Sequence, residues 1–241
     1  MRLATFQTGK AFILYDADIL CDAGQRPQID ADWFTSAFWH SRDAVIGEAP
    51  GRGASLFVAH GDERWALRPY RRGGAIARVS ERRYVWTGLE RTRAFREMRL
   101  TATLKQRGLP VPTPVAAAVW RHALSYEAAL ITRVIPGVQA LAERLPTADT
   151  PLLARVGQTI RRFHDVGLDH VDLNARNLLV DADDRVWLID LDRCRLRAPG
   201  RWQEANLARL ERSLARFSPT TVERAFTAIV DGYRHAPRDS R

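Results

Sequence analysis

Between His170 and Asp192 the chain reads H-V-D-L-N-A-R-N-L-L-V-D-A-D-D-R-V-W-L-I-D-L-D, which puts six aspartates and two asparagines into 23 positions. Carboxylate and amide oxygens are hard ligands that suit magnesium, an ion whose shell is readily completed by water and phosphate. Asp172 stands five residues before Asn177, and Asp190 follows an apolar run. A carboxylate at Asp172 can take the proton of a substrate hydroxyl, while Asn177 and Asp190 hold magnesium on the phosphates of ATP. That combination serves phosphoryl transfer, in which positioning and charge neutralisation supply most of the catalysis. His170 reads as a brace that hydrogen bonds within the loop rather than moving protons. Asp192 either supports the metal or pairs with Arg193. The competing reading is a polar hairpin whose acidic residues share no task.

That chemistry needs elements that deliver the loop. Thr150 and Pro151 begin a helix with Leu152, Leu153, Val156, Ile160 and Phe163 as its apolar stripe, and Gly167 stops it. A loop from His170 to Asn177 follows, then a short hairpin of Leu178 to Val180 and Val186 to Ile189, with Asp190 just past its second strand. Two further amphipathic helices are expected. One turns Leu207, Leu210, Leu214 and Phe217 inward, and the other, opened by Ser218-Pro219, turns Val222, Phe226, Ile229 and Tyr233 inward.

The first half reads differently. V-I-G, the turn E-A-P-G-R-G-A and S-L-F-V-A-H make strand, turn and strand, and R-W-A-L-R-P-Y makes a third strand. Gly47, Gly51 and Gly53 lie in or beside the first turn and are candidates to cover phosphates, although G-x-x-x-G-x-G departs from G-x-G-x-x-G. In A-L-R, Arg68 occupies the place where kinases put a phosphate-binding lysine. A guanidinium can bridge two phosphate oxygens, so the exchange is chemically tolerable but not neutral. A helix from Thr87 to Arg107 carries Phe95, Met98 and Ala102 on one face and offers Glu97 as partner for Arg68. An exposed pair with Arg93 competes for Glu97. Strands from Val115 to His122 and Tyr126 to Val134 lead to I-P-G, a natural linker. The expected architecture is α+β and protein-kinase-like, with a β-rich N-lobe over residues 1–135 and a helical C-lobe over residues 136–241.

Charge narrows the partner. Arginine makes up 35 of the 37 basic residues, and the net charge of +9 implies something anionic: nucleic acid, an acidic membrane leaflet or an acidic small molecule. Nucleic acid is not expected, because the aromatics of a stacking platform are not interleaved with the arginines. Cys21 and Cys194 are far apart and form neither a zinc motif nor a disulfide framework. A-F-I-L-Y near the start is too brief for a signal-peptide core, and no apolar run reaches membrane-spanning length. A cytoplasmic protein, at most peripheral to a membrane, is expected.

Three stretches together resemble the 3-deoxy-D-manno-octulosonic acid (Kdo) kinase family of lipopolysaccharide core kinases. They are A-L-R-P-Y-R-R-G-G, R-A-F-R-E-M through G-L-P-V-P-T-P, and H-V-D-L-N-A-R-N-L-L-V-D with V-W-L-I-D-L-D-R. The chain has Leu191 where I-D-F-D is expected, a change of one apolar residue. The resemblance implies ATP- and magnesium-dependent phosphorylation of a hydroxyl, the 4-OH, on the Kdo sugar of Kdo-lipid A. It also implies a peripheral place on the cytoplasmic side of the inner membrane. Arg71, Arg72, Arg193 and Arg195 are then candidates to touch substrate or the anionic membrane surface. Two rivals remain. D-L-N-A-R-N also suits a tyrosine-kinase-like bacterial protein kinase, although no A-P-E follows Asp190. The missing lysine would also suit a basic pseudokinase docking on membrane.

Overall fold

The run V-A-A-A-V from Val115 to Val119 lacks polar alternation, the pattern of a strand with apolar layers on both faces. In the computed structural model, which describes residues 1–49, 55–71 and 83–236, this run lies inside an eight-stranded antiparallel sheet. Its strands are β1 (Leu3–Thr8), β2 (Ala11–Asp16), β3 (Val45–Glu48), β4 (Leu56–His60), β5 (Glu63–Pro69), β6 (Tyr84–Val85), β7 (Pro114–His122) and β8 (Ser125–Arg133). They are ordered β1-β2-β7-β8-β5-β4-β3, and β6 also pairs with β8.

Successive side chains of these strands enter two different cores. Ile13, Trp65, Leu67, Ala116, Ala118 and Ile131 face one way, against Leu20, Phe34 and Trp39 from the segment holding α1 (Ala17–Leu20) and α2 (Ser36–His40). Leu14, Tyr70, Ala117, Val119, Ala128 and Leu130 face the other way, against Phe95 and Met98 of α3 (Arg93–Gln106). A-F-I-L-Y is thus β2, buried in the sheet, and not a targeting segment. The helix expected from Thr87 begins only at Arg93. Gly88 at φ +112 and a single 3-10 turn over Leu89–Arg91 interrupt the chain before it.

Met1–Gln106 and Pro112–Val134 form this first unit, and Arg107–Val111 with Ile135–Arg241 form a second. The excursion of Arg107–Val111 has local causes: Leu188 N–H donates to the Pro110 carbonyl at 2.9 Å, and Arg162 donates to the Gly108 carbonyl at 3.3 Å. The second unit runs β9 (Gln139–Ala140), α4 (Leu141–Arg144), α5 (Thr150–Asp165), β10 (Leu168–Asp169), β11 (Leu178–Val180), β12 (Val186–Leu188), β13 (Arg195–Leu196), α6 (Trp202–Phe217) and α7 (Val222–Arg234). An α+β chain with a β-rich unit and a helical unit is therefore what the structure contains.

Two features of α5 set the position of the loop that follows. Asp149 caps its first turn by accepting from Leu152 N–H at 2.8 Å, with Pro151 beside it. At the other end Gly167 has φ +86, and a Cβ there would lie 2.4 Å from the Arg197 carbonyl oxygen. Only glycine fits this close approach, which also lets Arg197 N–H donate to the Gly167 carbonyl at 2.8 Å. Along its length α5 touches α7 backbone to backbone: a Cβ on Gly157 would lie 1.9 Å from the Ile229 oxygen, and one on Gly232 2.1 Å from the Ala154 oxygen. The small face of α7, Ala225, Ala228 and Gly232 with Ile229, is accordingly the buried one. Val222, Phe226 and Tyr233, expected inward, are half-buried at its flanks.

Candidate active site

In the first unit, strand alternation decides what Arg68 meets. Trp65 and Leu67 enter one core, so Arg68 and Tyr70 emerge on the α3 face. There the Arg68 guanidinium pairs with one carboxylate oxygen of Glu97, and the Tyr70 hydroxyl donates to the other. Glu97 is only 5% exposed, which removes the exposed i,i+4 pair with Arg93 as its role. The guanidinium also lies 4.9 Å from the Tyr70 ring centre. Burial and the adjacent Glu97 charge push the Tyr70 phenol well above its ordinary pKa, against the opposing pull of Arg68, so it stays a donor. Arg93 sits 4.8 Å from the Tyr84 ring centre and donates to the Tyr84 hydroxyl at 2.8 Å.

Gly47 lies on β3 at an irregular register opposite Phe57, and Ala49 N–H donates to the Ser55 carbonyl at 2.8 Å, tying the two strands together. Gly51, Gly53 and Arg72 lie outside the described residues. Arg71 follows Tyr70 and is exposed.

In the second unit, hairpin register does the assembling. Leu178 pairs with Leu188, and Ile189 N–H donates to the Asn177 carbonyl at 3.0 Å, so Asn177 and Asp190 become neighbours across 13 residues of chain. Three of the other aspartates build the turn between the strands. Asp181 accepts from the Asp183 and Arg185 N–H groups and from the Trp187 indole, and Asp184, at φ +56, pairs with Arg144 and Arg155. The polar-hairpin reading therefore describes Asp181, Asp183 and Asp184 and does not extend to Asp172 or Asp190.

The loop before the hairpin is tied down by its asparagines. Asn174 and Asn177 both donate their side-chain amides to the Asp172 carbonyl at 3.0 Å, and the Asn174 amide oxygen accepts from Arg176 and Asn177 N–H. The backbone of Asp172 is pinned while the residue itself stays exposed. His170 is buried, and its Nε2–H donates to the Ile189 carbonyl at 3.0 Å, bracing the catalytic loop against the segment that leads to Asp190. Burial lowers its pKa despite the nearby Ile189 carbonyl, Asp190 and Asp172, so the ring is neutral and holds rather than transfers a proton. Its backbone N–H donates to Asn206 of α6 at 3.0 Å, and Asn206 donates to Asp169 at 3.1 Å. Arg197 and Arg195 complete this network at 3.0 and 3.6 Å from the Asp169 carboxylate. Burial would raise the Asp169 pKa, but hydrogen bonds from Arg197 and Asn206 outweigh it and hold the carboxyl below its ordinary value. Arg193 is exposed at φ +64, and Asp192 is half-buried with its carbonyl 3.7 Å from Cys194 Sγ.

A hard cation fits this donor set. Because the Asn177 Nδ2 is committed to the Asp172 carbonyl, its Oδ1 is the atom left to offer a metal, next to the Asp190 carboxylate. Among the described residues no group of three or more His, Cys, Asp or Glu side chains could hold a metal alone. Two protein oxygens suit magnesium only when phosphate and water supply the rest.

The lipopolysaccharide kinase (Kdo/WaaP) family model matches residues 36–233 of this chain. The chain belongs to that family. It is 46% identical over 215 residues to a 3-deoxy-D-manno-octulosonic acid kinase of Xanthomonas axonopodis pv. citri (strain 306), covering 88% of this chain and 84% of the relative. To the enzyme of the same name from Xylella fastidiosa (strain M23) it is 42% identical over 221 residues, covering 89% and 88%. Among solved structures it is similar to the Cydia pomonella granulovirus kinase PK-1, with 12% identity, a TM-score of 0.44 and coverage of 63% and 52%; at those values the likeness has no bearing on the chemistry.

For this lipopolysaccharide kinase family member the structure adds residues that sequence reasoning missed. Tyr70 was legible in principle, since it stands two residues after Arg68 and must share its strand face. Asn206 carried no such signal, being 36 residues from His170 and on a helix whose leucines drew attention elsewhere. Because Glu97 is buried and bound at both oxygens, it and Arg68 form one unit. Arg68→Ala and Glu97→Ala are each expected to lower kcat/KM for ATP by about 100-fold. The double substitution should cost little more than either alone, since the survivor of a broken buried pair is already useless. Arg68→Lys should recover part of the loss. Steady-state kinetics on the four variants checks this, and simply additive losses would separate the two residues.

Proposed function

We propose that this chain transfers the γ-phosphoryl group of ATP to a hydroxyl, the 4-OH, of the Kdo sugar on lipid A. In this reading it works with magnesium as a peripheral protein on the cytoplasmic side of the inner membrane. The observation that carries the reading is the hairpin register that sets Asn177 beside Asp190, with the Asp172 backbone held by the same asparagine. Family membership supports the choice of a lipopolysaccharide sugar over a polypeptide as acceptor. The excess of arginine supports an acceptor carrying carboxylate and phosphate charge.

The residues divide the work. The Asp172 carboxylate accepts the proton of the acceptor hydroxyl as that oxygen bonds to the γ-phosphorus and the bond from phosphorus to the ADP oxygen breaks. Magnesium, when bound, neutralises charge on the phosphate oxygens. Asn177 and Asp190 hold it, and neutral His170 keeps their loops in register. In the first unit, Arg68 presents its guanidinium to α/β-phosphate oxygens while Glu97 and Tyr70 fix its orientation.

The test is incubation of the purified protein with ATP, magnesium and Kdo-lipid A, beside a generic protein substrate, with mass analysis of both. Phosphate on the glycolipid alone is expected. Phosphate on the protein substrate would move the reading to a protein kinase, and no transfer to either would leave a non-catalytic docking protein.

A further inference from the structure

One end of the sheet carries large apolar side chains that nothing among the described residues covers. Leu124, in the turn between β7 and β8, is 84% exposed, and Val85 of β6 is 68% exposed. They are neighbours: Val85 pairs with Ser125, and Trp86 N–H donates to the Leu124 carbonyl at 2.9 Å. Behind them the half-buried Trp86 ring contacts Phe12 and Tyr126, with centroids 6.4 and 6.2 Å away. The same end is cationic. The Arg121 guanidinium lies 4.9 Å from the Trp86 ring centre, and Arg121 N–H donates to the carbonyl of exposed Lys10 at 3.2 Å. Glu127 stands between Arg83 at 3.8 Å and His122 at 3.5 Å, so its charge is already answered.

We propose that this end of the sheet docks on an anionic lipid bilayer. Leu124 and Val85 enter the boundary between headgroups and acyl chains, Trp86 lies at the interface, and Lys10, Arg83 and Arg121 face lipid phosphates. Exposed aliphatic tips, an aromatic ring behind them and a surrounding set of cations make the composition of surfaces that lie on membranes without crossing them. None of the described helices is long and apolar enough to cross. A second copy of the chain is a poor occupant, because a two-fold contact would bring Lys10 and Arg121 against their own equivalents. The inference rests on the peripheral-membrane part of the proposed function and gives it a surface. Its test reads binding, so it can fail while phosphoryl transfer stands, and the reverse.

The full chain is sedimented with phosphatidylcholine vesicles and with vesicles that also contain phosphatidylglycerol. Wild type is expected to partition strongly onto the anionic vesicles and weakly onto the neutral ones. Val85→Asp/Leu124→Asp should lower partition onto anionic vesicles by about tenfold or more, because two apolar anchors become charges. Lys10→Glu/Arg121→Glu should lower it by about tenfold through charge alone. Both double variants should keep the melting temperature and Mg-ATP affinity of the parent, since Val85, Leu124 and Lys10 are exposed. Undiminished partition of either variant would overturn the proposal. So would equal partition of wild type onto both vesicle types, or a self-associating wild type that Val85→Asp/Leu124→Asp renders monomeric.

Discussion

Asp172→Asn is expected to lower turnover by about 100-fold or more while leaving Mg-ATP affinity close to that of the parent. Asparagine has nearly the shape of aspartate but cannot accept the hydroxyl proton. The two contacts that fix position 172 are made by its backbone carbonyl, with Asn174 and Asn177, and survive the exchange. The loop should therefore keep its form and lose one chemical capacity. Single-turnover kinetics with Kdo-lipid A, set beside calorimetric Mg-ATP binding, separates the two effects. Turnover near that of the parent would remove Asp172 from the role of base, and a large loss of Mg-ATP affinity would mean that it serves the nucleotide instead.

Asp190 should fail differently. Asp190→Ala is expected to abolish the part of ATP binding that depends on magnesium, a loss of about 100-fold or more, because a carboxylate ligand disappears. The structure qualifies this variant. Asp190 has φ +59, a left-handed conformation that aspartate and asparagine tolerate and alanine adopts at a cost of about 1 kcal/mol. Asp190→Asn keeps the tolerant backbone and removes only the charge, so it is the cleaner test of metal binding. Calorimetry with and without magnesium should give the same weak affinity for Asp190→Asn in both conditions. An affinity that still rises with magnesium would reassign the ligand.

Much of the second unit was legible because its signals are local. The stripe of α5, its Pro151 start and the Gly167 stop are matters of period and backbone geometry within a few residues. Leu152, Leu153, Val156, Ile160 and Phe163 are all buried as their spacing implies. The hairpin after Asn177 was legible for the same reason, since two short apolar runs around an aspartate-rich turn have few other ways to pair. The place of Arg68 followed from strand alternation, and that of Glu97 from its lying on the helix expected beside Arg68. Where expectation and structure part, the deciding contact is distant in sequence. The start of α3 moved to Arg93 because Gly88 turns the chain first. A-F-I-L-Y gives no local sign that Ile13 and Leu14 will pair beside β7, over 100 residues away, and fill both cores.

Residue types and spacing by themselves determined the chemistry on offer: one carboxylate for a proton, an amide and a second carboxylate for a hard cation, and a guanidinium in place of an amine for phosphate. Tertiary structure decided which side chains hold those groups still. The leucine stripe of α6 predicts Leu207 and Phe217 inward, yet both are half-buried, and the helix is rotated to bury Trp202 and Asn206 with Leu210 and Leu214. A buried amide is costly unless it is satisfied, and Asn206 is satisfied only because Asp169 and the His170 backbone stand within 3.1 Å of it. Hydrophobic periodicity ranks residues by their own preference for water, so it places leucine inside and asparagine outside. The partners that reverse that preference come from other elements and exist only once the chain has folded.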